Sequence, residues 1–290
     1  MKNLIQKLIN FFGYKLIKLP SANNSDFDDI TKFLIDNPQP VVMDVGANIG
    51  QSIDRYKQIF KSPIIHSFEP SEKEFNYLKE KYKNDKQVFL NRLGLGEKEE
   101  NLELNINALS IHSSFKKLIP NTTWVEKRSQ RANVLTENYT TDKILSKVVT
   151  LDSYVEKNGI NNIDILKIDT QGTEDQIIAG AQKTIKNNKI KLIEFELIFS
   201  EIYENPPQIY DFEKNLIPNN YKLFAMSDSG SLIAHYIYQT NMIYICPETY
   251  KKFQSKSPYK PIKISDLDMN KKEDRDKYSS FRKMSSKREN

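Results

Sequence analysis

The sequence predicts an α/β fold built on a mostly parallel sheet with helices on both faces and an antiparallel last strand. Three observations carry this. From Val41 to about Pro247, short apolar runs alternate with helix-length stretches of 3.6-residue periodicity. Parts of those runs are continuously apolar, as at Leu192–Ile193 and Leu197–Phe199, which is how parallel strands buried on both sides read. The last part of the body, Tyr221–Ile245, holds two strand-like runs with no helix between them, hence a hairpin and an antiparallel pair.

Residues 1–40 are expected to form a helical extension. Ile5, Leu8, Ile9 and Phe12 recur at spacings of three to four, flanked by Lys2, Lys7, Lys15 and Lys18. Such a helix packs on the domain or on a partner subunit, as in a homodimer, or lies on an anionic membrane surface as a peripheral contact. The body, 41–250, has expected strands at Val41–Val45, Ile64–Phe68, Val88–Leu90, Ile163–Ile168, Leu192–Phe199, Lys222–Ala225 and Met242–Ile245. Helical patterns lie near 50–60, 72–83, 173–187 and 207–216. Residues 97–150 interrupt the rhythm. Leu102–Ile106 and Lys147–Leu151 read as short strands, and the polar stretch between them, with the sole tryptophan, Trp124, shows no clear helix–strand repeat. This insert is expected to form the acceptor pocket or a lid. Residues 251–290 are poor in large apolar side chains and read as a disordered basic tail, in which a short helix is the alternative.

Composition narrows the function. The 290 residues are 38% hydrophobic and 28% charged, polar for a globular chain, but 15 Phe and 15 Tyr supply the bulk of a core. The single cysteine, Cys246, allows no intrachain disulfide and fits a reducing compartment. With three histidines and that cysteine, no metal site of the zinc type is expected. No segment is long and apolar enough to span a bilayer, and residues 1–20 lack a signal-peptide pattern, so a cytoplasmic protein is expected. The net charge of +5 belongs to the ends: residues 1–20 carry +4 and 251–290 carry +7, leaving the body at −6. A nucleic-acid groove would run through a basic body, so no nucleic-acid partner is expected.

The motif Val41–Gly50 is a buried strand entering a glycine turn that opens a helix. Gly46 is expected to take a positive φ and let the backbone approach a ligand. Gly50 is expected to leave the first helical turn uncovered, its N–H groups free for a carboxylate or phosphate. Glu69 follows 19 residues later at the end of the second strand, where doubly wound folds hold ribose hydroxyls with an acid. The middle glycine of the dinucleotide fingerprint is replaced by Asn48, which obstructs a pyrophosphate and disfavours NAD. Asp44, just before the turn, repels phosphate and suits a cationic ligand. S-adenosyl-L-methionine, with a ribose, an ammonium and a sulfonium but no phosphate, meets these conditions.

Four stretches then resemble one family. Asp44-Val-Gly-Ala-Asn-Ile-Gly50, Phe68-Glu-Pro70, Thr150-Leu-Asp-Ser-Tyr154 and Leu166-Lys-Ile-Asp-Thr-Gln-Gly-Thr-Glu174 are similar to the FkbM-type S-adenosylmethionine-dependent methyltransferases, over about residues 40–200. The resemblance implies a class I Rossmann-like methyltransferase sheet with an antiparallel last strand. It also implies methylation of an oxygen, a hydroxyl of a sugar, glycan or other secondary metabolite. Gln171 departs from it, since many members carry Glu there.

The candidate cofactor-binding residues are Asp44, Gly46, Asn48, Gly50, Glu69 and Asn91, the last of these following the third apolar run. Methyl transfer to a hydroxyl needs the oxygen aligned and its proton removed. Lys167 and Asp169 lie two apart on a buried strand and face one side, with Asp169 at the ligand edge. Glu174 falls one turn into the next helix, and Glu194 and Glu196 share a face of the following strand. Asp169, Glu174 and Glu196 are therefore catalytic candidates, against a reading in which Lys167 forms a structural ion pair and Glu174 favours a helix N-terminus. His112, beside Ser113 and Ser114 in the insert, is a fourth candidate, as a base titrating near neutrality; the plain alternative is a solvated loop histidine. His66 reads as core, and His235 is uninformative. The expected function is an S-adenosylmethionine-dependent O-methyltransferase. The rivals are a catalytically silent cofactor-binding protein of the same fold and a nucleic-acid methyltransferase using the basic ends.

Overall fold

The computed structural model describes residues 25–227, 238–256, 268, 270–272 and 275. The amphipathic stretch at 1–20, His235 and most of the tail at 251–290 lie outside the described residues. The chain divides into two compact units, 1–249 and 250–290.

In the first unit, helix α1 (Ser25–Leu34) precedes the sheet. Then come β1 (Val41–Val45), α2 (Gln51–Ile59), β2 (Ile64–Phe68), α3 (Glu72–Lys81) and β3 (Val88–Asn91). The chain next builds a second sheet from β4 (Gly94–Leu95), β5 (Glu100–Asn107) and β6 (Thr140–Val149), with α4 (Thr123–Ala132) between the last two. It returns through α5 (Leu151–Lys157), β7 (Ile163–Ile168), α6 (Glu174–Ala179), α7 (Gln182–Lys186), β8 (Ile190–Ile198), α8 (Ile209–Leu216), β9 (Lys222–Met226) and β10 (Gln239–Ile245). A last helix, α9 (Pro247–Lys256), runs into the second unit and into the stretch expected to be a tail.

The main sheet has seven strands in the order β3-β2-β1-β7-β8-β10-β9. Neighbours are parallel except for β10, which is antiparallel to both β8 and β9. The fold is thus the α/β class the sequence predicts, and the late hairpin is the antiparallel pair. Four details differ. The insert is not irregular: β5 and β6 pair along their length in a three-stranded sheet. Helix α4 stands in the polar stretch, opened by the Thr122 hydroxyl accepting from the Val125 N–H at 3.2 Å and closed by Asn133 at φ 56°. Its apolar positions are few, so periodicity alone leaves it unseen. Leu151 is not a strand residue, because the Thr150 hydroxyl accepts from the Ser153 N–H at 3.0 Å and starts α5 there. The pattern at 173–187 is two short helices that break at Gly180 and Ala181.

Alternation along the central strands separates two faces. Met43, Val45, Leu166, Ile168, Ile193 and Phe195 join one apolar core with Ile177, Ile178, Ile185, Phe212 and Leu216 of the helices. Phe195 stacks between Phe212 at 4.4 Å and Tyr244 at 5.7 Å. The opposite face carries a polar row across four strands, where Ser67 and Lys167 both align with Asp44, and Glu194 with Lys167. Arg55 of α2 reaches this row, donating to both Glu194 oxygens at 2.6 and 3.2 Å and to Asp28 of α1 at 2.6 Å. No helix among the described residues is long and apolar enough to cross a membrane.

Candidate active site

Chain order reverses at β1, which has β2 and β3 on one side and β7 and β8 on the other. Ligands of doubly wound sheets bind beyond the strand ends at such a point. A cavity of about 370 Å³ lies there. Strand ends supply Val45, Gly46, Phe68, Glu69, Lys167, Asp169 and Glu196, while the insert supplies Leu104, the segment 110–115, Trp124 and Arg128.

The glycine turn is fixed by its own protein contacts. The N–H groups of Gly46 and Ala47 both donate to the Phe68 carbonyl, at 3.0 and 3.1 Å, and Gly50 N–H donates to Ala47 at 2.8 Å. Asn48 N–H donates to Glu69 at 2.8 Å. Gly46 (φ 85°) is needed because a Cβ there would lie 2.0 Å from the Asp169 carbonyl oxygen, so the close approach is to β7 and not only to a ligand. Gly50 (φ 90°) has the Tyr82 hydroxyl 2.5 Å from its Cβ position. It does not line the cavity; Gln51 and Ser52 of α2 do. Asn48 sits at φ 46° and reaches Ser110 of the insert with its side-chain amide, at 3.2 Å.

Glu69 is buried at the cavity wall. One oxygen accepts from Asn48 N–H and the other from Ser71 N–H, each at 2.8 Å. Burial pushes its pKa up to about 7, against the pull of those two backbone donors. Asp44 does not line the cavity. It is fully buried beneath the turn, where Ser67 donates to one oxygen at 3.2 Å, and burial raises its pKa. Asn91 does not line the cavity either: its amide ties strand ends together through the Ser67 and Phe89 carbonyls, both at 3.1 Å. Of the expected cofactor set, the structure brings Gly46, Asn48 and Glu69 to the cavity and keeps Asp44, Gly50 and Asn91 behind it.

The carboxylates at the ends of β7 and β8 form one network. Lys167 donates to Asp169 at 2.9 Å. The Gln171 amide donates to Asp169 at 2.9 Å and to Glu196 at 3.2 Å, bridging the two acids. Gln239 donates to the other Glu196 oxygen at 2.9 Å. Burial alone would raise the Asp169 pKa, but Lys167 and Gln171 outweigh it and hold it below the usual value. Glu196 lacks a cation of its own, so burial and then the charge of Asp169 push it up to about 8. Burial disfavours the Lys167 charge, yet Asp169 and Asp44 keep its pKa above the ordinary value.

Glu174 is turned away from this network and does not line the cavity. Its carboxylate folds back to accept from the N–H groups of Thr170 at 2.8 Å and Gly172 at 2.9 Å, so it clamps the loop between β7 and α6. That geometry removes it from the catalytic candidates. His112 lines the cavity but is neither solvated nor poised to titrate near neutrality. It is buried in a short 3₁₀ turn, its Nδ1 lies 2.7 Å from the Tyr139 hydroxyl, and Trp124 meets its ring edge-on at 4.7 Å. Burial, then Arg128 and Arg131, press its pKa down to about 4. His66 is half-buried, stacked on Phe89 at 4.8 Å. Gln239, Tyr203 and Arg128 carry no motif; the partners of Gln239 and Tyr203 are distant in sequence. Gln171, where the resemblance only flagged a departure, is the hub of the acid pair, with the Tyr203 hydroxyl 3.3 Å from its carbonyl oxygen.

The sequence profile of the Methyltransferase FkbM domain matches residues 44–223. A curated relative, 2-O-methyltransferase NoeI of Sinorhizobium fredii (strain NBRC 101917 / NGR234), is 24% identical over 176 residues, 59% of this chain and 68% of its own length. Two solved structures align at low similarity. Precorrin-6y C5,15-methyltransferase from Geobacter metallireducens GS-15 has 10% identity and a TM-score of 0.38, over 80% of this chain and 93% of that one. An rRNA methylase from Streptococcus thermophilus has 9% identity and a TM-score of 0.39, over 80% of this chain and 99% of that one. The strand order stands on its own topology, and the profile match spans more than half of the sequence: the chain belongs to the FkbM methyltransferase family.

Proposed function

We propose that this methyltransferase takes its methyl group from S-adenosyl-L-methionine and passes it to a hydroxyl of a sugar or related metabolite. The carrying observation is a cavity at the sheet's reversal point lined by Glu69, Asp169 and Glu196, acids that suit a cationic ligand. The N–H groups of Gly46, Ala47, Asn48 and Gly50 all donate within the protein. Those four groups are therefore not offered to a phosphate. A cationic nucleoside finds Glu69, Asp169 and Glu196 instead, in a volume within the range of small-molecule sites. Glu69 would hold the ribose hydroxyls, and the turn at Gly46 and Asn48 would flank the amino-acid end. When bound, S-adenosylmethionine would supply a sulfonium methyl group to the acceptor oxygen, with S-adenosylhomocysteine as the leaving thioether.

The chain's part is alignment and proton removal. Glu196, with a pKa near the working pH, is the better proton acceptor of the pair, because a base is most effective when its pKa lies near the pH. A cation placed in the cavity lowers that pKa and frees the carboxylate. Asp169 stays ionised beside Lys167 and contributes charge and position. Gln171 holds the two acids in register. Oxygen as the accepting atom draws support from the relative, whose name is that of a 2-O-methyltransferase.

Calorimetry with S-adenosylhomocysteine tests the donor assignment. Glu69→Ala should weaken binding by roughly ten- to a hundred-fold, the worth of charge-assisted hydrogen bonds of about 1.5–3 kcal/mol. Unchanged affinity would remove Glu69 from the ribose. No binding by the wild type would end the donor reading altogether.

A further inference from the structure

Of the two cations at the cavity, one forms no ion pair among the described residues. The charged lining residues are Glu69, Glu74, Arg128, Lys167, Asp169 and Glu196. Lys167 is matched by Asp169. Arg128 forms no ion pair among the described residues; its recorded partner is the ring of Trp124, one helical turn earlier on α4, with Cζ 5.4 Å from the ring centroid. Trp124 is itself held firmly. Its ring meets His112, and it packs against Ile198, Ile202 and Tyr203. The guanidinium is therefore kept over the cavity by a packed aromatic ring, at i and i+4 on one helix face. A partly desolvated cation without a carboxylate is costly, and the planar guanidinium fork matches a carboxylate or a phosphate in a bidentate pair. The neighbouring His112, its pKa pressed down to about 4, adds no second positive charge beside the guanidinium at neutral pH. Glu69 and Glu196, whose pKa values burial pushes up to about 7 and about 8, form no ion pair with Arg128 among the described residues.

We infer that Arg128, seated on Trp124, is the specificity residue for the acceptor, and that the acceptor is a sugar bearing an acidic group, carboxylate or phosphate. This rests on the reading of the cavity as the site of methyl transfer to a sugar hydroxyl. The acidic group pairs with the guanidinium, and the sugar ring lies beside Trp124 with its hydroxyl directed to the acid pair.

The single tryptophan makes the test direct, because fluorescence excited at the red edge, beyond tyrosine absorption, reports Trp124 alone. Protein saturated with S-adenosylhomocysteine is titrated with glucose, glucuronate and glucose 6-phosphate. At least one anionic sugar should bind ten-fold or more tightly than glucose, and the tighter of the two identifies the group. Arg128→Gln should erase that preference while leaving S-adenosylhomocysteine affinity intact, which also shows that the variant folds; Arg128→Lys should retain part of it. Equal binding of all three sugars, or no saturable change with either anion, overturns the inference. So does a loss of S-adenosylhomocysteine affinity in Arg128→Gln, which would assign the guanidinium to the donor's carboxylate. Failure of the wild type to bind S-adenosylhomocysteine at all is a different result and strikes the donor reading.

Discussion

At the residue scale, the division of labour between Asp169 and Glu196 is decided by what each touches. Alternation along β7 and β8 put both acids on one side at the ligand edge, and that much is legible from spacing. Which of them carries a proton is not, because it depends on Lys167 and Gln171 at one acid and on Gln239, more than forty residues away, at the other. Glu174 shows the same limit: a helix-start acid looks catalytic until its carboxylate is seen folded onto its own loop. With Glu196 as proton acceptor, Glu196→Gln should reduce turnover by roughly 10²-fold or more at nearly constant S-adenosylhomocysteine affinity. Asp169→Asn should act less on turnover and more on stability, since it leaves Lys167 buried without its partner. Stability also carries a signature. A carboxyl whose folded pKa is raised to about 8 stabilises the ligand-free protein below the unfolded value and loses that contribution as pH rises through the folded one. The unfolding free energy of Glu196→Gln, from urea titration, should therefore exceed that of the wild type at pH 8, by about 1–2 kcal/mol, with the gap shrinking toward pH 5. A rate profile should show no transition near pH 6.5 from His112, whose pKa lies at about 4.

At the element scale, the glycine turn is a joint between strands before it is a ligand loop. Its sequence announces a sharp turn, but its reason lies in the packing of β7, which comes more than a hundred residues later. Gly46→Ala would force a positive φ on alanine and drive its Cβ into the Asp169 carbonyl. It should cost about 2–4 kcal/mol in urea unfolding, well beyond an ordinary glycine replacement. The insert is the reverse case. Its two strands show in the sequence, whereas α4 does not, since a helix with few apolar positions leaves no periodic stripe. Its ends are marked instead by Thr122 and Asn133, a cap at one side and a left-handed residue at the other. The element that brings Trp124 and Arg128 to the cavity is thus written in its caps and not in its face.

At the scale of the whole molecule, the polar face of the sheet ties the first described helix to the centre. Alternation on the central strands reads as apolar from sequence, and the row of Ser67, Asp44, Lys167 and Glu194 looks like scattered exceptions to it. Across strands those exceptions align into a single buried line. Arg55 closes that line from α2 and extends it to Asp28 of α1, through contacts that span 139 residues to Glu194 and 27 to Asp28. Glu194 is almost wholly buried and Arg55 nearly so. Removing the cation leaves the buried Glu194 carboxylate without Arg55, in a row whose other acid, fully buried Asp44, lacks a partner for one oxygen among the described residues. Arg55→Met should destabilise the fold by about 3–5 kcal/mol, the usual consequence of breaking a buried pair from one side. Pairing it with Glu194→Leu should return much of that loss, because the uncompensated charge is then gone. Urea unfolding of the two variants measures both numbers. A single variant as stable as the wild type would mean that water reaches this line, and that α1 is not anchored through Arg55.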